Sequence, residues 1–206
     1  MTPSVWTDPA PLLLASTSPT RRALLESAGI PVEIEAPGVD ERAVEAAARG
    51  EGLDPPGLAL RLAAEKALAV SRRRPGRLAL GADQVLDLDG RVLHKAPDRE
   101  AAVAKLLALA GRRHALRAAV ALARDGAVVD AFVESAVLAM RPLGRPAVER
   151  YLDAAGPDVL GSVGAYQIEG LGVHLFEAVD GDHATILGLP LLPLLARLRA
   201  RGCLAL

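Results

Sequence analysis

The strongest constraint on this chain is the run Leu12-Leu13-Leu14-Ala15-Ser16-Thr17-Ser18-Pro19-Thr20-Arg21-Arg22-Ala23-Leu24-Leu25. A short, continuous apolar segment predicts a buried strand over Leu12–Ala15. A hydroxyl-rich turn follows, and then a helix from Pro19 to Ala28, stopped by Gly29 and Pro31. Serine hydroxyls, backbone N–H groups at a helix start and an arginine cation all fall in this short stretch. That is the chemistry a phosphate requires. The run predicts an anion site close to the start of an otherwise apolar domain.

The rest of the chain must supply a core without aromatic bulk. It has 206 residues, half of them hydrophobic but only 2% aromatic, so Ala, Leu and Val have to build the interior. The formal net charge is −1 with both signs mixed along the chain, which excludes the basic excess of a nucleic-acid surface. The lone Cys203 permits no internal disulfide and fits a reducing compartment. Residues 1–11 read as a loose leader without the basic and apolar regions of a signal peptide. The late apolar run Ile186 to Ala196 is broken by Gly188, Pro190 and Pro193 and is too short to span a bilayer. The expectation is a soluble, cytoplasmic protein with a single domain over 12–206, no membrane contact and no nucleic-acid polymer as partner.

Further along, the pattern predicts a strand over Val32–Ala36, a loop over Gly50–Gly57 and a helix from Leu58 to Arg74. A long strand over Leu78–Leu88 is interrupted at Gly81-Ala82-Asp83, and Asp89-Gly90 signals a hairpin. Asp98 caps a helix reaching Leu109, with Gly111 just beyond it. Ala115–Ala123 and Ala127–Met140 form a hairpin through Asp125-Gly126. A helix opens at Pro146, a strand covers Val173–Val179, and a last helix runs from Pro190 to Arg201. Helices and strands alternate and then a hairpin enters, so the fold class is α/β: a mixed β-sheet flanked by helices. The chain carries neither GxGxxG nor GxxxxGK[ST], so the Rossmann and P-loop fingerprints are missing.

Several side chains could carry chemistry. Asp83 is a carboxylate inside an apolar strand, which costs desolvation unless a cation, a metal or hydrogen bonds offset it. It reads either as a functional acid or as a strand-end cap. Lys66 shares a helix face with Leu62 and Val70, so it either points inward or snorkels to water. Lys95, in the loop after Arg91-Val92-Leu93, and Glu41, in Val39-Asp40-Glu41, read equally well as ordinary surface charges. Glu169 lies in the glycine-rich stretch Gly161–Gly170. There it is either a hydrogen-bond acceptor for a base edge or part of a flexible loop. His94, His114, His174 and His183 have no metal-site spacing, and Ser16 and Ser18 lack a GxSxG elbow. Cations near acids suit a polyphosphate, because cations offset phosphate charge while acids hold a metal or activate water.

These residues stand in an ordered series of blocks: Ala15-Ser16-Thr17-Ser18-Pro19-Thr20-Arg21-Arg22, Val39-Asp40-Glu41, Ala64-Glu65-Lys66-Ala67, Gly81-Ala82-Asp83-Gln84, His94-Lys95, Gly164-Ala165-Tyr166-Gln167-Ile168-Glu169-Gly170 and Gly188-Leu189-Pro190-Leu191. From Leu12 to about Arg199 the chain resembles the Maf family of nucleoside triphosphate pyrophosphatases. That resemblance implies an α/β fold with a central cleft and a homodimer. It also implies hydrolysis between the α- and β-phosphorus to give a monophosphate and pyrophosphate. By the same likeness Asp83 is the proton acceptor that activates water. Ser16, Ser18, Arg21, Lys66 and Lys95 bind the phosphates. Glu41 and Asp83 place a divalent cation, Mg2+ or Mn2+. Thr20, Gln84 and Glu169 occupy the positions that separate substrate classes. Gln84 and Glu169 resemble the branch acting on 7-methyl-GTP, and a carboxylate suits the N1–H and N2–H₂ donors of guanine. Thr20 and Gly164-Ala165-Tyr166 leave a dTTP/UTP pyrophosphatase as an alternative. A nucleotide-binding regulator of cell division with little catalysis is a further one.

Overall fold

The computed structural model describes residues 5–206. In chain order the elements are β1 (Leu12–Ala15), α1 (Pro19–Ser27), β2 (Val32–Ile34), α2 (Glu41–Gly50), α3 (Pro55–Arg73), β3 (Ala79–Leu88), β4 (Arg91–Leu93), α4 (Arg99–Leu109), β5 (Arg113–Arg124), β6 (Ala127–Met140), α5 (Arg145–Ala155), β7 (Phe176–Asp180), α6 (His183–Ile186) and α7 (Leu191–Ala200). The strands form a seven-stranded sheet in the order β2-β1-β3-β5-β6-β7, with β4 paired to β3. β1 runs parallel to both β2 and β3, whereas β4 pairs antiparallel with β3 and β7 antiparallel with β6. The fold is therefore α/β with a mixed sheet flanked by helices. Among the described residues, no helix is long and apolar enough to cross a membrane.

The chain divides into two compact units. The first takes the chain up to Asp83 together with Ala118–Glu134 and Asp182–Leu206. The second takes Gln84–Arg117 and Ser135–Gly181.

In the first unit β1 is buried on both faces, as a strand flanked by parallel neighbours has to be. Leu12 and Leu14 pack with Leu25, Ile30, Leu80, Leu122, Leu189 and Leu194. Leu13 and Ala15 point the other way, onto Val70 of α3 and Ala79. The stretch 1–11, read as a loose leader, begins with residues outside the described ones. Its later part is fastened: Trp6 is buried and bridges Leu204, and its indole Nε1 donates to the Ala10 carbonyl at 2.9 Å. Burying the ring while satisfying its N–H is what holds the segment down.

In the second unit the core gathers around three of the chain's five aromatic residues. The Tyr166 and Phe176 rings meet edge to face at 4.8 Å, and the Tyr166 hydroxyl shares a 2.7 Å hydrogen bond with His114 Nε2. Tyr151 of α5 is also buried there.

Residues 41–50, for which the sequence pattern gave no expectation, form α2, because Asp40 Oδ1 accepts from the Ala43 N–H and caps a run rich in helix formers. Three local expectations are corrected. The Gly50–Gly57 loop ends earlier, since Asp54 caps α3 and Pro55 takes its first position. β3 is not interrupted at Gly81; the glycine is there because α3 lies against the strand. A Cβ at Gly81 would stand 2.1 Å from the Ala63 carbonyl oxygen and 2.6 Å from the Ala67 nitrogen. The expected strand over Val173–Val179 begins only at Phe176. Before it, Leu171–Leu175 coils into a 3₁₀ turn, where Gly172 presses onto Gln167 and a Cβ would come within 2.4 Å of that residue's carbonyl oxygen.

Candidate active site

The turn after β1 is stitched by its own hydroxyls. Ser16 is buried, and its Oγ accepts from the Ser18 N–H at 3.3 Å. Ser18 is the N-cap of α1 and accepts from the Arg21 N–H. Pro19 has no N–H. The backbone donors at the helix start are thus partly consumed within the turn. The Arg21 guanidinium binds protein groups as well: Nε donates to the Gly188 carbonyl at 2.9 Å, and Nη1 donates to the Ala82 carbonyl at 2.9 Å and to Ser16 Oγ at 3.3 Å. A guanidinium has five N–H donors, so these contacts fix its plane and leave the Nη2 side available. Burial lowers its pKa while Asp83 and Glu41 raise it, and the group remains a cation. Arg22, its sequence neighbour, turns to solvent and pairs with Glu26 at 2.7 Å.

Lys66, Glu41 and Asp83 come together in the same unit. Asp83 and Lys66 are only 8% and 6% exposed, and Lys66 Nζ lies 2.6 Å from Asp83 Oδ1. The ammonium also lies 2.7 Å from Glu41 Oε1, whose side chain is 57% exposed at the first turn of α2. The close approach of α3 to β3 at Gly81 sets this geometry, because Lys66 stands one residue from Ala67 and Asp83 two residues from Gly81, on one face of the strand. Of the two readings of Lys66, the inward one is therefore the observed one. Burial raises the Asp83 pKa above the ordinary aspartate value, against the lowering pull of Lys66 and Arg21. A carboxylate whose proton affinity is raised by burial, beside a cation, is equipped to accept a proton.

A divalent cation would find hard oxygen donors here. Glu41 and Asp83 offer two carboxylates that already converge on one ammonium. Among the described residues no group of three or more His, Cys, Asp or Glu completes a protein cage. Magnesium is commonly held this way, by one or two carboxylates, with phosphate and water supplying the rest. The donor set fits such an ion.

Three candidates lie in the second unit. Gln84 follows Asp83 directly in β3, so its side chain takes the opposite face of the strand. Lys95 is exposed in the segment between β4 and α4, and Glu169 is exposed in the loop after α5. That loop is not slack. Gly164, Ala165 and Tyr166 are buried in it, and a Cβ at Gly164 would stand 2.2 Å from the Tyr166 ring. Its glycines serve the packing of the loop itself. Tyr151 is buried beside it: burial raises the phenol pKa, the Gln167 backbone N–H lowers it and Glu169 raises it. Thr20, in the first unit, is half-buried at the second position of α1.

One polar residue in the second unit escaped the sequence reading. Lys105 of α4 donates to the carbonyls of His94 and Val163, the latter at 2.9 Å. Burial lowers its ammonium pKa to about 8. Nothing in an Ala- and Leu-rich helix sets this lysine apart, since its partners come from distant segments.

A family model described as Maf-like protein matches residues 11–201. The chain belongs to the Maf family. It is 52% identical over 204 residues to a nucleoside triphosphate pyrophosphatase of Nitrobacter hamburgensis, spanning 98% of this chain and 100% of that one. It is 51% identical over 193 residues to a 7-methyl-GTP pyrophosphatase of Mesorhizobium japonicum, spanning 94% and 97%. A solved HAM1 protein from Coxiella burnetii aligns with 63% of this chain and 72% of its own at 15% identity and a TM-score of 0.39. As a Maf-family member the chain is an enzyme, a hydrolase acting on acid anhydrides.

Proposed function

We propose that this Maf-family enzyme is a nucleoside triphosphate pyrophosphatase that takes 7-methyl-GTP, or a closely related modified guanine nucleotide, in preference to pyrimidine nucleotides. The observation that carries the reaction is the buried Asp83 carboxylate held by Lys66 at 2.6 Å, with a proton affinity raised by burial. In this reading Asp83 takes the proton from the attacking water, and a monophosphate and pyrophosphate leave. Arg21 and Lys66 neutralise phosphate oxygens, with Ser16 and Ser18 shaping the turn around Arg21 and Lys95 adding a further cation. Glu41 and Asp83 hold a Mg2+ or Mn2+ ion, which when bound supplies positive charge to the triphosphate.

Base selection is assigned to Glu169, assisted by Gln84 and Thr20. The support is chemical: a carboxylate accepts from both the N1–H and N2–H₂ of guanine, a donor pair that thymine and uracil lack. The similarity to a 7-methyl-GTP pyrophosphatase of Mesorhizobium japonicum supports the same choice.

The test is pyrophosphate release, with Mg2+ or Mn2+ present, from 7-methyl-GTP, GTP, dTTP, UTP, CTP and ATP. The expected order puts 7-methyl-GTP first. Glu169→Gln is expected to lower kcat/KM for 7-methyl-GTP by about ten- to a hundredfold, in line with the loss of a charge-assisted hydrogen bond. Equal turnover of dTTP and UTP by the native enzyme would overturn the base assignment. Silence across the whole panel would favour a nucleotide-binding regulator.

A further inference from the structure

We propose that Lys105 is a positioning residue that holds the Lys95 segment and the Glu169 loop at a fixed separation. The proposal rests on the reading of Lys95 and Glu169 given above. All of these residues belong to the second unit, so the argument stays within one compact body.

Lys105 stands in the middle of α4. Its ammonium donates to the carbonyl of His94, which is the peptide group leading directly into Lys95. It donates also to the carbonyl of Val163, the peptide group that opens the stretch Gly164–Gly170. One cation therefore spans two irregular segments that no strand pairing joins. Neither carbonyl comes from a neighbouring turn of α4; the contacts reach 11 residues back and 58 residues forward. Lys105 is half-buried rather than waving in solvent, and burial pulls its ammonium down to about 8.

The chemistry of the two ends gives the arrangement its meaning. Lys95 carries a positive charge suited to phosphate, and Glu169 carries an acceptor suited to a base edge. Both side chains are exposed and have no rigid element of their own. Precise recognition needs such groups to be held by rigid supports. Lys105 makes one helix the common support for both. The Tyr166–His114 hydrogen bond and the packing of Gly172 on Gln167 also anchor the Glu169 loop.

The test compares the native enzyme with Lys105→Met, which keeps the apolar stem and removes the donors, and with Lys105→Arg, which keeps them. In Lys105→Met, hydrogen exchange is expected to quicken in segments 94–98 and 163–170 together, with the rest of the chain unchanged. KM for the nucleotide is expected to rise roughly tenfold at nearly constant kcat, the size of one lost charge-assisted hydrogen bond, and Lys105→Arg to restore most of it. Unchanged exchange in either segment overturns the proposal, as does a fall in kcat at constant KM. Exchange requires no turnover, so the proposal is decided even with an enzyme that rejects 7-methyl-GTP. That rejection would instead overturn the substrate reading.

Discussion

Two aspartates on strand β3 carry nearly the same burial and opposite surroundings. Asp83 is 8% exposed and Asp87 is 7% exposed. Asp87 is saturated. Its Oδ1 accepts from the Gly90 N–H at 2.8 Å, and its Oδ2 accepts from Arg117 Nε at 3.0 Å and Nη2 at 2.8 Å. Arg117 is in turn tied to Ser135 Oγ at 2.9 Å. Asp83 leans on one ammonium, and that ammonium is shared with Glu41. Its pKa is raised because the single partner does not fully offset desolvation. Burial alone therefore does not separate the acid proposed as the base from one that fastens a hairpin; the two differ in the number and kind of their donors.

The contrast breaks most readily by neutralising each acid in turn. Asp83→Asn is expected to lower kcat by about 10²- to 10⁴-fold, the usual worth of a general base, while nucleotide binding persists. A variant with near-native turnover would remove Asp83 from the mechanism. Asp87→Asn is expected to do the reverse. It leaves kcat within a few-fold of native and lowers unfolding free energy by about 2 kcal/mol, through weakened charge-assisted bonds to Arg117 and Gly90. Chemical denaturation alongside steady-state kinetics separates the two. An Asp87→Asn enzyme that is stable but inactive would make the distinction between the two acids false.

The smallest effect sharpens the same rule on another group. His114 Nε2 meets Tyr166, but its buried Nδ1 finds no partner among the described residues, and burial pushes the imidazole down to about 4 from the ordinary 6.5. The unfolded chain binds a proton near 6.5 and the folded chain refuses it until near 4. The contribution of His114 to stability is thus complete above about 6.5 and drains as pH falls toward 4. Between pH 7 and pH 5 the native protein is expected to lose about 1–2 kcal/mol more than His114→Phe does. Denaturation curves at the two pH values measure the difference. Parallel losses in both proteins would show that His114 is not held neutral by the fold.

Much of this architecture could be read from residue order, wherever the signal is local. The strand–turn–helix of the N-terminal run, the Asp98 cap of α4 and the Asp-Gly hairpin turns all appear where spacing and turn chemistry place them. Lys66 and Asp83 drew notice because a charge on an apolar face or strand is conspicuous. α2 has a local signal too, in the Asp40 cap and the alanines after it. Other features have no local trace. The continuity of β3 through Gly81 depends on α3 crossing it, and the glycine reads as a break until that helix is in place. Lys105 is legible only once segments distant in sequence have been folded onto it. The candidate residues of the first unit were legible because their charges sit on regular elements. The second hid much of its polar framework in backbone carbonyls, which every residue has.

The shared ammonium of Lys66 has a further consequence, visible when charges are added up. Arg21 and Lys66 contribute two positive charges and Glu41 and Asp83 two negative ones, so the cluster is electrically balanced before any ligand arrives. A triphosphate brings several negative charges into this balanced, partly desolvated setting, where uncompensated charge is costly. Glu41 and Asp83 already draw on the charge that Lys66 would offer a phosphate, so the four groups together add no net positive charge. If the proposed function holds, the species this cluster is suited to admit is a nucleotide accompanied by its counter-ion, and apparent affinity is expected to follow the concentration of that ion pair rather than of the free nucleotide.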